Sequence, residues 1–325
     1  GTFTFSGTGG KTIVQNAGNN FFDLTIASGG TDKISANSAI SVGGVFTNTN
    51  GTFDTEGNTV TVTGATNIDG GILEIAAGIF DANDFNANGA TVTFTGDGTL
   101  KLGGNSGGTP DLGTLNDDAG LANISKGTVI YDNQGGDQDI YRNATRGYFN
   151  LEIDNNGQVA SMNNSAELFV FGDLTITTGN LTSADFTDKL TLEGDFLMNG
   201  GEFVPGSCFN HEVSGSWNDA GGTFAPGGGT IKLVGAGTTQ ITSIAGNSFN
   251  ILTIEGGTHE AQSIITITNR VTIDAGATLQ MDGNTGSFAQ TVINGELSLT
   301  NEVTATGETS FNSGTLSILG TGTYN

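Results

Sequence analysis

Asp137 and Asp139 stand two residues apart, with Asp132 shortly before them and Arg142 and Arg146 shortly after. If the segment is a strand, alternate residues share a face and the two carboxylates project together. Carboxylate oxygens in an Asn- and Gly-rich setting suit a hard cation, so Asp132, Asp137 and Asp139 are candidate Ca2+ ligands, with no cofactor otherwise expected. Asp81, Asp84, Asp117 and Asp118 read as residues of loops of the same kind. Clustered acids beside a base are also the equipment of polysaccharide lyases and hydrolases. Nine Lys and Arg against 33 Asp and Glu leave few bases for such work. A solvated acidic loop is the simpler reading, and no residue is assigned a catalytic or cofactor-binding role.

Other matches to chemical motifs are weaker. Gly104-Asn105-Ser106-Gly107-Gly108 fits the nucleophile elbow of hydrolases and the serine-protease pentapeptide with Asn for Asp, but its only candidate bases are His211 and His259 in unrelated contexts. Gly7-Thr8-Gly9-Gly10-Lys11-Thr12 imitates a phosphate loop with Phe5 where the motif needs Gly, and reads as a turn. Cys208, His211 and Glu212 have a ligand-like spacing but no second cluster, so Cys208 reads as a small core residue. Trp217 is a single aromatic that a glycan ring could stack on, although packing is the simpler role. Thr59-Thr61-Thr63 and Thr91-Thr93-Thr95 form Thr-x-Thr rows of the kind ice-binding solenoids present. Sequons at Asn123, Asn143, Asn163 and Asn180 permit glycosylation.

Charge and composition narrow the partners. The net charge of −24 repels phosphate backbones and anionic lipid, which argues against nucleic acid and membrane insertion. No apolar run approaches the length of a bilayer span, and no basic-then-apolar leader is visible. One cysteine excludes an internal disulfide framework. The 54 Gly suit positive-φ turns. Disorder is excluded because 20 Phe and many Val, Ile and Leu fall in short alternating runs.

That alternation is what any site must be built on. Val60-Thr61-Val62, Val92-Thr93-Phe94, Leu100-Lys101-Leu102, Leu190-Thr191-Leu192, Ile231-Lys232-Leu233, Val271-Thr272-Ile273 and Leu297-Ser298-Leu299 alternate with period two, the pattern of half-buried strands. Asn-Gly and Asp-Gly pairs such as Asn50-Gly51, Asp69-Gly70, Asn199-Gly200 and Asn294-Gly295 punctuate them. One passage is written three times: Gly1-Thr2-Phe3-Thr4-Phe5 leads to Phe21-Phe22-Asp23-Leu24-Thr25-Ile26, Gly127-Thr128-Val129-Ile130-Tyr131 to Tyr148-Phe149-Asn150-Leu151-Glu152-Ile153, and Gly229-Thr230-Ile231-Lys232-Leu233 to Phe249-Asn250-Ile251-Leu252-Thr253-Ile254. A fourth copy opens at Gly314. Residues 57–64 also return as 89–96, which suggests coils whose like residues stack.

These repeats predict an all-β chain, a right-handed parallel β-solenoid (β-helix) over 1–325 as one continuous body, with repeats starting near 1, 127, 229 and 314 and a loop or insertion at 103–127. Coils of roughly 20–30 residues would give on the order of 11–16 turns. Tandem β-sandwich domains are the alternative, because Asn-Gly turns also mark antiparallel hairpins.

The wording Phe-x-x-Leu-Thr-Ile, a Gly-rich turn, and then Gly51-Thr52-Phe53-Asp54-Thr55-Glu56-Gly57-Asn58-Thr59-Val60-Thr61-Val62-Thr63-Gly64 resembles the repeats of long secreted bacterial surface proteins, adhesin-like or parallel β-helix repeat proteins. The resemblance implies an extracellular or cell-surface location, attachment to a surface or matrix, and no catalytic residues. The expected function is structural: a rigid acidic segment of an adhesin, stalk or filament, with self-association or surface glycans as partners. A polysaccharide-active β-helix enzyme and an ice-binding protein are the alternatives.

Overall fold

Alternation becomes strands throughout. A computed structural model describes residues 1–87, 89–104, 109–117, 125–141, 147–162, 167–183, 187–207, 210–281, 283–319 and 322–325. Val60 and Val62, Leu100 and Leu102, and Leu190 and Leu192 are buried, while the residue between each pair is only half-buried. The described elements are all strands, and their sheets are entirely parallel. A β-sandwich is made of antiparallel pairs, so the tandem-sandwich alternative is excluded.

The chain forms two compact units, Gly1–Ser161 and Met162–Asn325. In the first, strands take three faces in rotation, and each stacks on the strand one turn earlier. One face runs through Ile40–Val42, the start of Thr59–Ile68, the start of Ile79–Asn86, Thr99–Leu102, Thr128–Tyr131 and the start of Asn150–Ser161. The next holds Thr2–Gly7, Asp23–Ser28, Phe46–Asn50 and the far halves of the bent strands Thr59–Ile68 and Ile79–Asn86. The third is a six-stranded sheet from Lys11–Ile13 to Thr114–Asp117. Thr114–Asp117 lies within 103–127, where 105–108 and 118–124 are outside the described residues. Registered partners are 20 residues apart at Ile79 and Thr99, 21 at Thr2 and Asp23, and 22 at Leu24 and Phe46.

The second unit repeats this plan. Leu168–Val170, Leu190–Leu192, His211–Val213 and Thr230–Leu233 stack on one face. Phe196–Met198, Trp217–Asp219 and Thr238–Ser243 stack on the next, which continues to Thr315–Ile318. Glu202–Val204 and Thr223–Phe224 belong to the third. The interior of each unit is a column of inward side chains. Phe46, Phe53, Phe80 and Phe85 pack in the first unit at ring distances of 5.0–6.4 Å. In the second, Trp217 lies 4.2 Å from Phe196, 4.9 Å from Phe224 and 5.2 Å from Phe249.

The 20-to-22-residue turn explains the repeats and corrects one expectation. In each writing of the long passage the two strands are vertical neighbours: Phe3 and Phe5 lie against Leu24 and Ile26, Val129 and Tyr131 against Leu151 and Ile153, Ile231 and Leu233 against Leu252 and Ile254. The repeated passage is therefore one strand and its successor on the same face. Residues 57–64 and 89–96 do not stack. Their spacing is about one and a half turns, so Thr59–Ile68 and Thr91–Phe94 fall on different faces.

Glycine works here largely by making room. Gly51 and Gly283 do have positive φ, of 77° and 72°. Gly70, Gly98, Gly200 and Gly295 do not; a Cβ on them would come within 2.9, 2.5, 2.5 and 2.2 Å of a carbonyl oxygen of the previous turn. At one corner of the second unit Gly172, Gly194 and Gly215 form a column, in which Gly194 and Gly215 donate their N–H to the carbonyls of Gly172 and Gly194 at 3.1 and 3.0 Å. Beside it, Asp173 Oδ1 accepts the Asp195 N–H at 2.8 Å and Asp195 Oδ1 the Ser216 N–H at 2.7 Å. Side chains thus continue the ladder around the bend, where the strand bonds stop.

Candidate functional site

Asp132, Asp137 and Asp139 lie close in sequence but serve different neighbours. Asp132 follows the Thr128–Tyr131 strand, and its Oδ2 is 2.7 Å from Lys101 Nζ on the turn before. Asp137 Oδ1 accepts the Val159 N–H at 2.9 Å. Asp139 pairs in the ladder with Ser161, and its Oδ2 accepts the Thr109 hydroxyl at 3.4 Å. Among the described residues no three His, Cys, Asp or Glu side chains come together closely enough to hold a metal ion. Arg142 and Arg146 lie outside the described residues, as do Asp118, Cys208, three of the sequons (Asn123, Asn143, Asn163) and the 105–108 core of the serine pentapeptide. Asn180 is half-buried in the Leu174–Thr182 strand.

The histidines are built into the interior. His211 Nδ1 accepts the Leu190 N–H at 3.2 Å and Nε2–H donates to the Pro205 carbonyl at 2.9 Å, which defines a neutral imidazole. Burial pushes its pKa down to about 4. Glu212, the next residue, points to the opposite side of the strand and its Oε2 lies 2.9 Å from Lys189 Nζ. Adjacent strand residues face opposite ways, so His211 and Glu212 do not converge on one site. His259 is likewise buried, with Nε2 2.8 Å from the Gly256 carbonyl and Nδ1 2.6 Å from the Thr239 hydroxyl; burial lowers its pKa too. Trp217 is buried among phenylalanines and offers no face to a glycan. The two Thr-x-Thr rows lie on separate faces and form no common plane.

Charge is organised by turn. Lys33 Nζ sits 2.8 Å from both Asp54 and Glu74, one and two turns on. Burial opposes its charge, but hydrogen bonds to Asp54 and Glu74 outweigh that and raise its pKa. Lys189 lies between Glu167 at 3.0 Å and Glu212 at 2.9 Å, and Lys232 pairs with Glu255. A few lysines thus relieve the repulsion that an acidic chain would suffer when stacked carboxylates come within one strand spacing of about 4.8 Å.

One cluster escaped the sequence reading. Asp81, expected in a loop, lies in the Ile79–Asn86 strand in register with Lys101, Lys101 holds Asp132, and a groove of about 320 Å³ lined by Thr61, Asp81, Asn83 and Gly103 lies beside them. Burial pushes the Asp81 carboxyl up, the Lys101 charge pulls it down, and the Asp132 charge adds to the rise. The signal was the 20-residue offset of Asp81 and Lys101, which is one turn and has meaning only once the turn length is known.

Large apolar side chains are exposed near both ends of the sequence, as is Ile264. Phe3, Val14 and Phe22 are 62, 64 and 66% exposed, and with Phe21 they line a groove of about 590 Å³. Phe311, Ile318 and Leu319 at the other end are 50, 48 and 53% exposed. Phe3 and Ile318 belong to core columns, in register with the buried Leu24 and Leu299 respectively.

All-parallel ladders wound into three-faced turns define a parallel β-solenoid, and the chain makes about 14 of its turns. Comparison with family models, with curated proteins and with solved structures yields no match.

Proposed function

We propose that the chain is an extracellular structural segment, a rigid acidic β-solenoid of a surface adhesin, stalk or filament that associates end to end. The observation that carries this reading is the all-parallel stacking of about 14 turns, with a packed interior column in each unit. The strand edge at the end of any such stacked array is a template for a further parallel strand. Composition supports the extracellular address, through solubility carried by Thr, Asn, Ser and Gly in place of dense charge.

Sedimentation velocity across a range of concentrations, followed by electron microscopy, tests the reading. Concentration-dependent linear assemblies with an axial repeat of about 4.8 Å are expected. A strictly monomeric protein at high concentration would overturn self-association and leave surface glycans as the partner to examine.

The Asp81–Lys101–Asp132 cluster and its groove favour one second reading, a polysaccharide-active site. It predicts depolymerisation of an acidic polysaccharide that is lost in Asp81→Asn. Flat turnover on a panel of such polymers removes it.

A further inference from the structure

We infer that a groove on the second unit, at the corner that follows the Thr238–Ser243 strand, binds an uncharged glycan through side-chain amides and hydroxyls. The source of the sugar rests on the extracellular reading, and end-to-end association plays no part.

The groove exists because one corner stands off from its neighbours. Ser243, Asn247, Ser263, Ile264, Thr266 and Asn284 come from three successive turns and line a space of about 560 Å³. On the turn before, the corner is closed. A Cβ on Gly221 would meet the Asn199 carbonyl oxygen at 2.3 Å, and one on Gly222 the Gly201 carbonyl oxygen at 2.5 Å. At Gly246, whose φ is 102°, a Cβ would meet nothing within 4 Å.

A buried carboxylate presets the polar groups. Asp219 is fully buried and in register with Ser243, and burial pushes its carboxyl up. Its Oδ2 accepts the Asn247 Nδ2–H at 2.7 Å and the Ser243 hydroxyl at 3.3 Å, while its Oδ1 has no partner among the described residues. An orphaned buried acceptor calls for a donor from outside the chain, and the two residues that hold this carboxylate both line the groove. The Asn247 amide is fixed with its nitrogen toward Asp219, which leaves its Oδ1 to accept a ligand hydroxyl. Ser263 Oγ accepts the Ser243 N–H at 2.7 Å, so its own proton is left to donate. Asn284 is held in place by its Nδ2–H, which donates to the Ala261 carbonyl at 2.7 Å.

The lining selects the occupant. Ile264 is 59% exposed and offers an aliphatic surface to the C–H face of a sugar ring, beside amides and hydroxyls that suit the ring's own hydroxyls. No described lining residue is charged, and a chain of net charge −24 disfavours an acidic sugar. An extended peptide would need a free strand edge. Here the backbone is already engaged: the Gln262 N–H donates to the Ile241 carbonyl at 2.8 Å and the Ile265 N–H to the Thr285 carbonyl at 3.2 Å.

The test is titration of the intact chain with cellohexaose, maltohexaose and mannohexaose, with oligogalacturonate as the acidic counterpart. Calorimetry reads affinity, and methyl NMR of isoleucine-labelled protein reads the place. At least one neutral oligomer is expected to shift the Ile264 δ1 methyl at millimolar concentration, while oligogalacturonate leaves it in place. Thr266→Val removes one hydroxyl and should weaken binding about 3–10-fold, the value of one hydrogen bond. Ile264→Asp, at an exposed position, should abolish binding in the calorimeter and leave the circular dichroism spectrum unchanged. Neutral oligomers that leave the Ile264 methyl unmoved, tighter binding of oligogalacturonate, or affinity indifferent to Thr266→Val and Ile264→Asp would each overturn the glycan site and leave the extracellular reading standing. A chain that binds the sugars in this groove but fractionates inside its source cells would overturn that reading and uphold the site.

Discussion

Replacing Gly215 by alanine should destabilise the second unit, and the reason is not backbone freedom. Gly215 has no positive φ. A Cβ placed on it would sit 2.3 Å from the Gly194 carbonyl oxygen and 2.4 Å from Asp195 Oδ1. Ordinary contact needs about 1 Å more, roughly a fifth of the ~4.8 Å between stacked strands. Overpacking of this kind costs about 1–3 kcal/mol. Forcing the turns apart also strains the Gly215 N–H to Gly194 bond and the Ser216 N–H to Asp195 bond, at about 1 kcal/mol each. The sum is about 3–5 kcal/mol, or a fall in Tm of roughly 6–20 °C at the 2–4 °C per kcal/mol of a unit this size. Gly237 is the control. It too lacks a positive φ, and a Cβ there meets nothing within 4 Å, so Gly237→Ala should stabilise by about 0.4–1 kcal/mol through the unfolded chain. Thermal melts followed by far-UV circular dichroism read both. Gly215→Ala melting within a degree of the parent, or Gly237→Ala falling as far as Gly215→Ala, would refute the steric argument.

Three further outcomes are expected. His211 titrates near 4 when folded and near 6.5 when unfolded, so the unfolded chain binds the extra proton between those values; stability is complete above pH 6.5 and falls by up to about 3 kcal/mol as the pH drops to 4. His259 acts in the same direction and Asp219, pushed up by burial, in the opposite one at lower pH; Tm against pH should flatten in His211→Asn. Lys33→Met leaves the buried Asp54 carboxylate without its cation, at about 1–3 kcal/mol, and adding Asp54→Asn should recover part of the loss in a urea titration. Trp217→Ala opens a cavity among Phe196, Phe224 and Phe249 and should cost about 3–5 kcal/mol by the same titration.

What was legible in the sequence follows the range of the physics involved. Strand alternation is local, and Val60-x-Val62 or Leu297-x-Leu299 carry it in three residues. The stacked architecture was legible because a ladder step writes two neighbouring strands into one repeated passage. The face on which a residue lands was not, since it depends on turn length, and Thr93 and Thr61 differ in face although their surroundings read alike. Glycine's role was half legible: Gly51 signals its φ through Asn50, whereas Gly200 and Gly295 answer to a carbonyl some twenty residues earlier. The acidic segment 132–139 looked like one site because its residues are sequence neighbours, but winding hands Asp132 to Lys101 and Asp137 to Val159.

The two strand pairs of the repeated passage in the first unit, which begin at Thr2 and Thr128, lie on different faces. A three-faced coil therefore has something like a reading frame. Duplicating or deleting three strands, or a multiple of three, leaves every later side chain on its own face, whereas any other number moves the whole downstream surface to a new side while each inward column is preserved. Length and surface pattern can then diverge separately in such an array: the interior tolerates a change of frame, and only the outward residues are rewritten by it.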